Sequence, residues 1–271
     1  MVNFEPKPTY NVEDLRQIVA LLRAPGGCPW DGAQTHESLR RNFLEEAYEV
    51  AEAIDEASPA HLKEELGDVL LQVLFHASIE EDAGRFNLDE VADGICKKLI
   101  FRHPHVFGQG GESTPDSWEA LKRQEKGQTT ETETLQAVAK SLPGLWRAEK
   151  IQTKAARAGF EWPNAQAALD KLAEELAELQ QAVAEDSNIE EELGDLLFAA
   201  VKVARFFHID AEEALAGTCE KFIRRFSGVE AAVTAQGRTM HDLDVAQLMA
   251  LWNREKHPEQ REKKTREGKH Q

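Results

Sequence analysis

The stretch 62-LKEELGDVLLQVLF-75 is mostly apolar from Leu66 to Phe75 and reads as a helix destined for burial, yet Glu64, Glu65 and Asp68 stand at its opening. The same pattern, EELGD followed by an apolar run, returns in 190-EEELGDLLFAAVKV-203. Around these segments the polar and apolar positions, punctuated by start and stop signals, predict helices throughout. Asn11 can cap a helix running to about Arg23, and 25-PGGCPWDGAQT-35 is a Gly/Pro-rich loop before a long helix from His36 to Ala57. Ser58-Pro59 is a cap followed by proline at the first helical position, a strong start signal, for a helix to about Ala83 that Gly84 ends. A helix over 87–102 stops at Pro104, because the residue before a proline avoids the helical region, and Thr114-Pro115 opens another to about Lys126. Further helices are predicted near 141–157, 164–185, 187–207, 210–227 and 242–257.

Polar, Thr-rich 127-GQTTETETLQAVA-139 separates the two series and is the predicted connector. The organisation expected is a module over 11–127, a connector over 128–139, a second module over 140–257 and a charged tail over 258–271. That tail has almost no apolar side chains, so it is expected to be disordered.

Composition strengthens the helical reading. Ala, Leu, Glu, Lys, Gln and Arg abound, aromatics are few, and the fold class expected is all-α. The 271 residues suffice for one or two domains with a buried core. A formal charge of -17 repels phosphate backbones at long range, which argues against nucleic acid as a partner. Small phosphorylated ligands remain open, because a metal ion can mask charge locally. Cys28, Cys96 and Cys219 form no CxxC pair, so neither a disulfide framework nor a zinc ribbon is indicated, and a reduced cytoplasm fits. The first residues carry no apolar signal core, and no run approaches the ~18 apolar residues of a membrane span.

The two halves match residue by residue. EEAYE at 45–49 matches EELAE at 174–178, and EELGD at 64–68 matches EELGD at 191–195. Lys98 and Arg102 match Lys221 and Arg225, and Trp118 and Lys122 match Trp252 and Lys256. This is the signature of two tandem copies of one helical module. Within a copy, Glu46 and Glu49 share a helix face, as do Glu65 and Asp68 on the next helix. Glu46 and Asp68 lie eleven positions either side of residue 57; Glu49 and Glu65 lie eight. In the second copy Glu175 and Asp195 lie ten positions either side of Glu185, and Glu178 and Glu192 lie seven. In an antiparallel hairpin such residues reach equal height, so each hairpin can gather four carboxylates at one level.

A single ExxE is usually a solvated face. Here Asp68 and Asp195 sit within apolar surroundings, both hairpins are symmetric about their turns, and the pattern is doubled. Two like charges ~5 Å apart at an effective dielectric of ~20 repel by roughly 3 kcal/mol, so the cluster must take up protons or bind cations. Ligands that are all oxygen suit hard cations, Mg²⁺ or Mn²⁺. Lys98/Arg102 and Lys221/Arg225 could meet a polyphosphate, and Trp118 and Trp252 could stack on a base; helix-surface charge and core packing are the plainer alternatives. No GxxxxGK[ST] loop is present. His103 and His105 could suggest a metal site but read more simply as loop residues, and Asp31 and Trp30 could close over a ligand, with a packing tryptophan the plainer reading.

These residues resemble the MazG family of nucleoside triphosphate pyrophosphohydrolases, within the all-α NTP pyrophosphatase superfamily. The carriers are 27-GCPWD-31, the EExxE and EELGD pair, 102-RHPHVF-107, and the second copy with 159-GFEW-162 and 190-EEELGD-195. The resemblance implies cleavage of NTPs and dNTPs between the α- and β-phosphates, Mg²⁺ dependence and a homodimer. It implies Glu46, Glu49, Glu65, Asp68, Glu175, Glu178, Glu192 and Asp195 as metal ligands, the last four also catalytic. Lys221, Arg225, Trp252 and Lys256 match positions expected to hold triphosphate and base, and Lys171 is a further candidate whose counterpart in the first copy is Asn42. A non-catalytic nucleotide- or cation-binding module, a pyrophosphohydrolase of narrower substrate range and a plain helical scaffold are the alternatives.

Overall fold

The structure, a computed structural model, describes residues 4–108, 110 and 114–256. Among these residues there are helices and no strands, in keeping with the all-α expectation. The chain divides into two compact units, Met1–Lys122 and Arg123–Gln271. The expected tail over 258–271 lies outside the described residues.

The first unit contains α1 (Val12–Arg23), α2 (Pro29–Gly32), α3 (His36–Asp55), α4 (Pro59–Asp82) and α5 (Leu88–Arg102), and the division falls inside α6 (Pro115–Glu125). Each long helix begins on a local signal. Asn11 and Asp14 form a reciprocal capping box on α1, as do Thr35 and Ser38 on α3 and Asn87 and Glu90 on α5. Ser58 accepts from the His61 amide, with Pro59 at the first helical position of α4. α3 and α4 form a hairpin closed at Ala57, a left-handed residue (φ 51°). α1 and α5 pack on α4, and the core joins Val19, Leu39, Leu74 and Phe75.

The loop predicted at 25–35 contains α2, which packs on α1. It works as a cap: the Cys28 amide donates to Leu22 O (2.8 Å) and the Gly27 amide to Ala24 O (2.9 Å). A Cβ on Gly27 would stand 2.3 Å from Leu21 O and 2.5 Å from Leu22 O, so only glycine passes so close to the end of α1.

The second unit contains α7 (Glu131–Gln136), α8 (Gly144–Arg157), α9 (Ala165–Glu185), α10 (Ile189–Phe206), α11 (Ala211–Thr234) and α12 (Val245–Lys256). The predicted connector over 128–139 thus holds α7, started by a capping box of Thr130 and Glu133 and packed on α8. α9 and α10 form the central hairpin, turned by left-handed Asp186 and Asn188. α8 and α11 pack on α10, and α12 on α11. α11 runs beyond its predicted end at 227; Val229 and Val233 are buried and hold the extra turns. Asp210 caps α11 and accepts from the Trp146 indole at 3.0 and 3.1 Å to its two oxygens. Glu161, in the loop before α9, holds Lys202 (3.3 Å) and Arg205 of α10, both largely buried.

The apolar runs after the two EELGD motifs are only partly buried. Leu74 and Phe75 enter the first core, while Leu66, Leu193, Leu197 and Phe198 face outward. Leu193, Leu197 and Phe198 of α10 with Leu169, Leu176 and Val183 of α9 leave a broad apolar face uncovered on the second hairpin.

Candidate functional site

On α3, Glu46 and Glu49 lie three residues apart, and on α4 so do Glu65 and Asp68. The hairpin brings one carboxylate oxygen each of Glu46, Glu49 and Glu65 within 4.8 Å of one another. Asp68 stands outside that trio but within electrostatic reach. Burial first, and then the Asp68 charge, pushes the Glu46 carboxyl above its ordinary range, helped by a hydrogen bond with Glu49. Burial and then Glu49 do the same to Glu65. The strongest cross-hairpin partners are therefore 46 with 68 and 49 with 65, the pairing implied by symmetry about the turn.

In the second unit the trio is Glu175, Glu192 and Asp195, again within 4.8 Å. Glu178 lies beside it, sharing a hydrogen bond with Glu175 that raises the Glu178 carboxyl. A cation also joins this cluster. Lys171 Nζ is 2.8 Å from Glu174 and 2.8 Å from Glu175. Its ammonium holds Glu175 below the ordinary carboxylate range, and the two carboxylates raise Lys171 in turn.

The first hairpin has its own resident base, which sequence reasoning passed over. His61 Nε2 is 3.2 Å from Glu65, and Nδ1 is 2.8 Å from Glu56, which raises the imidazole. The signal was the i, i+4 spacing from His61 to Glu65. Aligning Glu65 with Glu192 puts Asn188 at the His61 position of the second unit.

Burial corrects one expectation. Asp68 is half-buried and Asp195 exposed, so neither is embedded. The enclosed carboxylates are Glu65, 9% exposed, and Glu175, 7% exposed. Leu66, Leu193 and Leu197 beside the two aspartates face outward rather than into the core, which is why apolar neighbours in sequence did not mean enclosure.

In both units a cation lies over the tryptophan. In the second, Arg225 of α11 lies over Trp252 of α12 at 6.0 Å and Phe222 stands 5.0 Å from that ring. Lys221 donates to Thr218 Oγ1 (3.4 Å), and Lys256 is exposed in the last turn of α12. Direct contact of Lys221, Arg225 or Lys256 with the four carboxylates is not formed among the described residues; α11 packs on α10, which carries Glu192 and Asp195. In the first unit Arg102 and Lys122 lie over Trp118 at 5.6 and 5.5 Å. His103 stands edge-on to Trp118 at 4.8 Å, and its Nδ1 is 2.6 Å from Leu99 O. Trp30 is 64% exposed, so it is not the packing residue expected.

The model of the MazG nucleotide pyrophosphohydrolase domain matches this chain twice, over residues 34–107 and 164–229, spanning both hairpins and their carboxylates. A Thermotoga maritima protein named nucleoside triphosphate pyrophosphohydrolase/pyrophosphatase MazG is 41% identical over 244 residues, 90% of this chain and 95% of that protein. An Escherichia coli protein named nucleoside triphosphate pyrophosphohydrolase is 39% identical over 257 residues, 92% of this chain and 98% of that one. An uncharacterised Bacillus subtilis protein, YabN, is 46% identical over 253 residues, 91% of this chain but 52% of its own length. Matched in both of its hairpins and along nearly all of its length, the chain belongs to the MazG family of nucleotide pyrophosphohydrolases.

Proposed function

We propose that this protein is an enzyme that hydrolyses nucleoside triphosphates, NTPs and dNTPs, between the α- and β-phosphates, releasing a nucleoside monophosphate and pyrophosphate in the service of nucleotide-pool control. The names of the full-length relatives support the activity. One observation carries the site: in each unit three carboxylate oxygens from two helices meet within 4.8 Å. Such a set, all oxygen and partly enclosed, fits a hard divalent cation, Mg²⁺ or Mn²⁺. Glu46, Glu49, Glu65 and Asp68 would hold it in the first unit, and Glu175, Glu178, Glu192 and Asp195 in the second. When bound, the cation neutralises phosphate charge and orients the triphosphate.

The remaining work falls to side chains. A glutamate of the second set takes the proton of the attacking water. Lys221 and Arg225 stabilise charge on the departing pyrophosphate, with the guanidinium able to grip two oxygens at once. Trp252 offers a face to the base and Lys256 a further cation. Lys171 makes the second unit the principal site, because it brings to Glu175 a phosphate-binding cation that Asn42 cannot supply.

The protein acts as a homodimer in the cytoplasm, without nucleic acid or membrane as partner. Leu169, Leu176 and Val183 recur at heptad spacing on α9, beside outward Leu193 and Leu197 of α10, and an apolar face of that extent is suited to a second copy. Among the described residues no helix is long and apolar enough to cross a membrane. The test is incubation with separate NTPs and dNTPs and Mg²⁺, with products resolved by ion exchange, for wild type, Glu46→Gln and Glu175→Gln. Monophosphate plus pyrophosphate, lost in Glu175→Gln and without metal, is expected. Diphosphate plus orthophosphate overturns the bond assignment, equal losses in both variants overturn the preference for the second unit, and no turnover leaves a nucleotide-binding module.

A further inference from the structure

Away from the carboxylates, the first turn of α3 is joined to the far part of α4 by two histidines. His36 Nδ1 lies 2.7 Å from His76 Nδ1, with the rings 5.0 Å apart and 14° from parallel. The other nitrogen of His36, Nε2, lies 2.5 Å from Glu80 Oε1. Glu80 is buried and also accepts from Arg85 Nε (2.5 Å) and one terminal guanidinium nitrogen (2.6 Å).

This arrangement fixes the protons. A carboxylate only accepts, so His36 Nε2 carries a hydrogen. In the neutral ring Nδ1 is then a bare acceptor, and His76 must donate to it from Nδ1–H. One added proton fits on the outer Nε2 of His76 without disturbing that bond. A second does not: with both rings cationic, each Nδ1 carries a hydrogen, and two donors face each other at 2.7 Å with no lone pair between them.

We propose that the His36–His76 pair is a one-proton latch that ties the start of α3 to α4, closed with no or one added proton and opened by the second. The charges around it are few. On α3, Glu37 adjoins His36 and acts on it through charge, and Arg40 follows one turn on, exposed. On α4 and beyond it stand Glu80 and Arg85. From α1, Arg23 reaches α4 at Ser78 (3.0 Å) and Asp82 (2.7 Å), two and six residues past His76. Phe43 presents its edge to His76 at 5.9 Å, and burial together with His36 lowers the His76 imidazole. Glu80, already compensated by Arg85, cannot hold a second cation there.

Among the described residues the second unit has no such device. Aligning Glu65 with Glu192 puts Val203 and Phe207 at the positions of His76 and Glu80. The latch belongs to the first unit alone, and acid should loosen α3 while leaving α9 in place.

The test uses the full-length chain, labelled with ¹⁵N. Long-range imidazole spectra report the tautomer and charge of each ring, with His36→Asn and His76→Asn assigning the signals. Amide exchange by mass spectrometry follows the first turns of α3 and α9, corrected for the intrinsic pH dependence of exchange. The spectra should show His36 protonated at Nε2 near neutrality and the two rings titrating as a coupled pair. Between about pH 7.5 and about pH 5, protection at the start of α3 should fall by about tenfold or more in wild type and stay level in α9. In His76→Asn the amide can still donate to His36 Nδ1 but does not titrate, and protection should hold. Independent titration of the two rings overturns the latch. So does unchanged protection at about pH 5, or an equal loss in His76→Asn.

Discussion

Replacing Lys171 by asparagine, the residue found at the corresponding position 42, should affect metal and nucleotide binding in opposite directions. The Lys171 ammonium lies 2.8 Å from Glu175 and 2.8 Å from Glu174. At 2.8 Å one such pair is worth about 6 kcal/mol at an effective dielectric of ~20 and about 1.5 kcal/mol in water. Because the Lys171 side chain is 34% exposed, solvent screening pulls the net value toward the lower figure, about 1.4 kcal/mol or tenfold in a binding constant. A divalent cation without nucleotide must displace this ammonium from Glu175. Mg²⁺ affinity should therefore rise about tenfold in Lys171→Asn, measured by titration calorimetry in a Glu46→Gln background that silences the first hairpin. On the proposed role of Lys171 as a phosphate-binding cation, kcat/KM should fall by about ten- to a hundredfold. An unchanged or weaker Mg²⁺ affinity in Lys171→Asn would refute the reasoning, since Lys171 would then not occupy the metal's place.

Three further outcomes follow from the geometry. Gly27→Ala must push two carbonyls of α1 away from the new methyl group. It should cost about 1–3 kcal/mol, seen as a lower urea midpoint in far-UV circular dichroism. Arg85, and after it His36, holds the Glu80 carboxyl down to about 2. A depressed carboxyl stabilises the fold above its unfolded value, ~4.3, and that stability drains away as pH falls toward about 2. Arg85→Gln should thus move the acid-unfolding midpoint, followed by far-UV circular dichroism, to higher pH. Leu176→Glu places a charge on the outward face of α9 and should shift the protein toward monomer in light scattering; an unchanged mass would remove that face from the interface.

Helices and their starts were legible because they rest on local chemistry. Asn11, Thr35, Ser58, Asn87 and Asn164 each accept the hydrogen bond that a capping residue is chosen for. The meeting of Glu46, Glu49 and Glu65 was legible for another reason: symmetry about a turn converts spacing into height. Two short helices escaped, α2 and α7, because a single turn is too short to display a period. Depth escaped as well. Asp195 and Glu175 sit in similar acidic, leucine-rich stretches, yet one is exposed and the other enclosed, since enclosure depends on which face of α10 meets α9. The His36–His76 contact joins residues 40 apart in sequence, and no local pattern encodes it.

The sharing of Glu161 between Lys202 and Arg205 gives mutation at that spot a direction. Loss of either cation leaves the carboxylate with a partner, whereas loss of the carboxylate takes the ion-pair partner from two largely buried positive charges and leaves Arg205 only the charge of Glu149, a defect of about 3–5 kcal/mol. Neutral drift can therefore begin at position 202 or 205 but not at 161. A lineage that abandons this cluster has to surrender its cations before its acid.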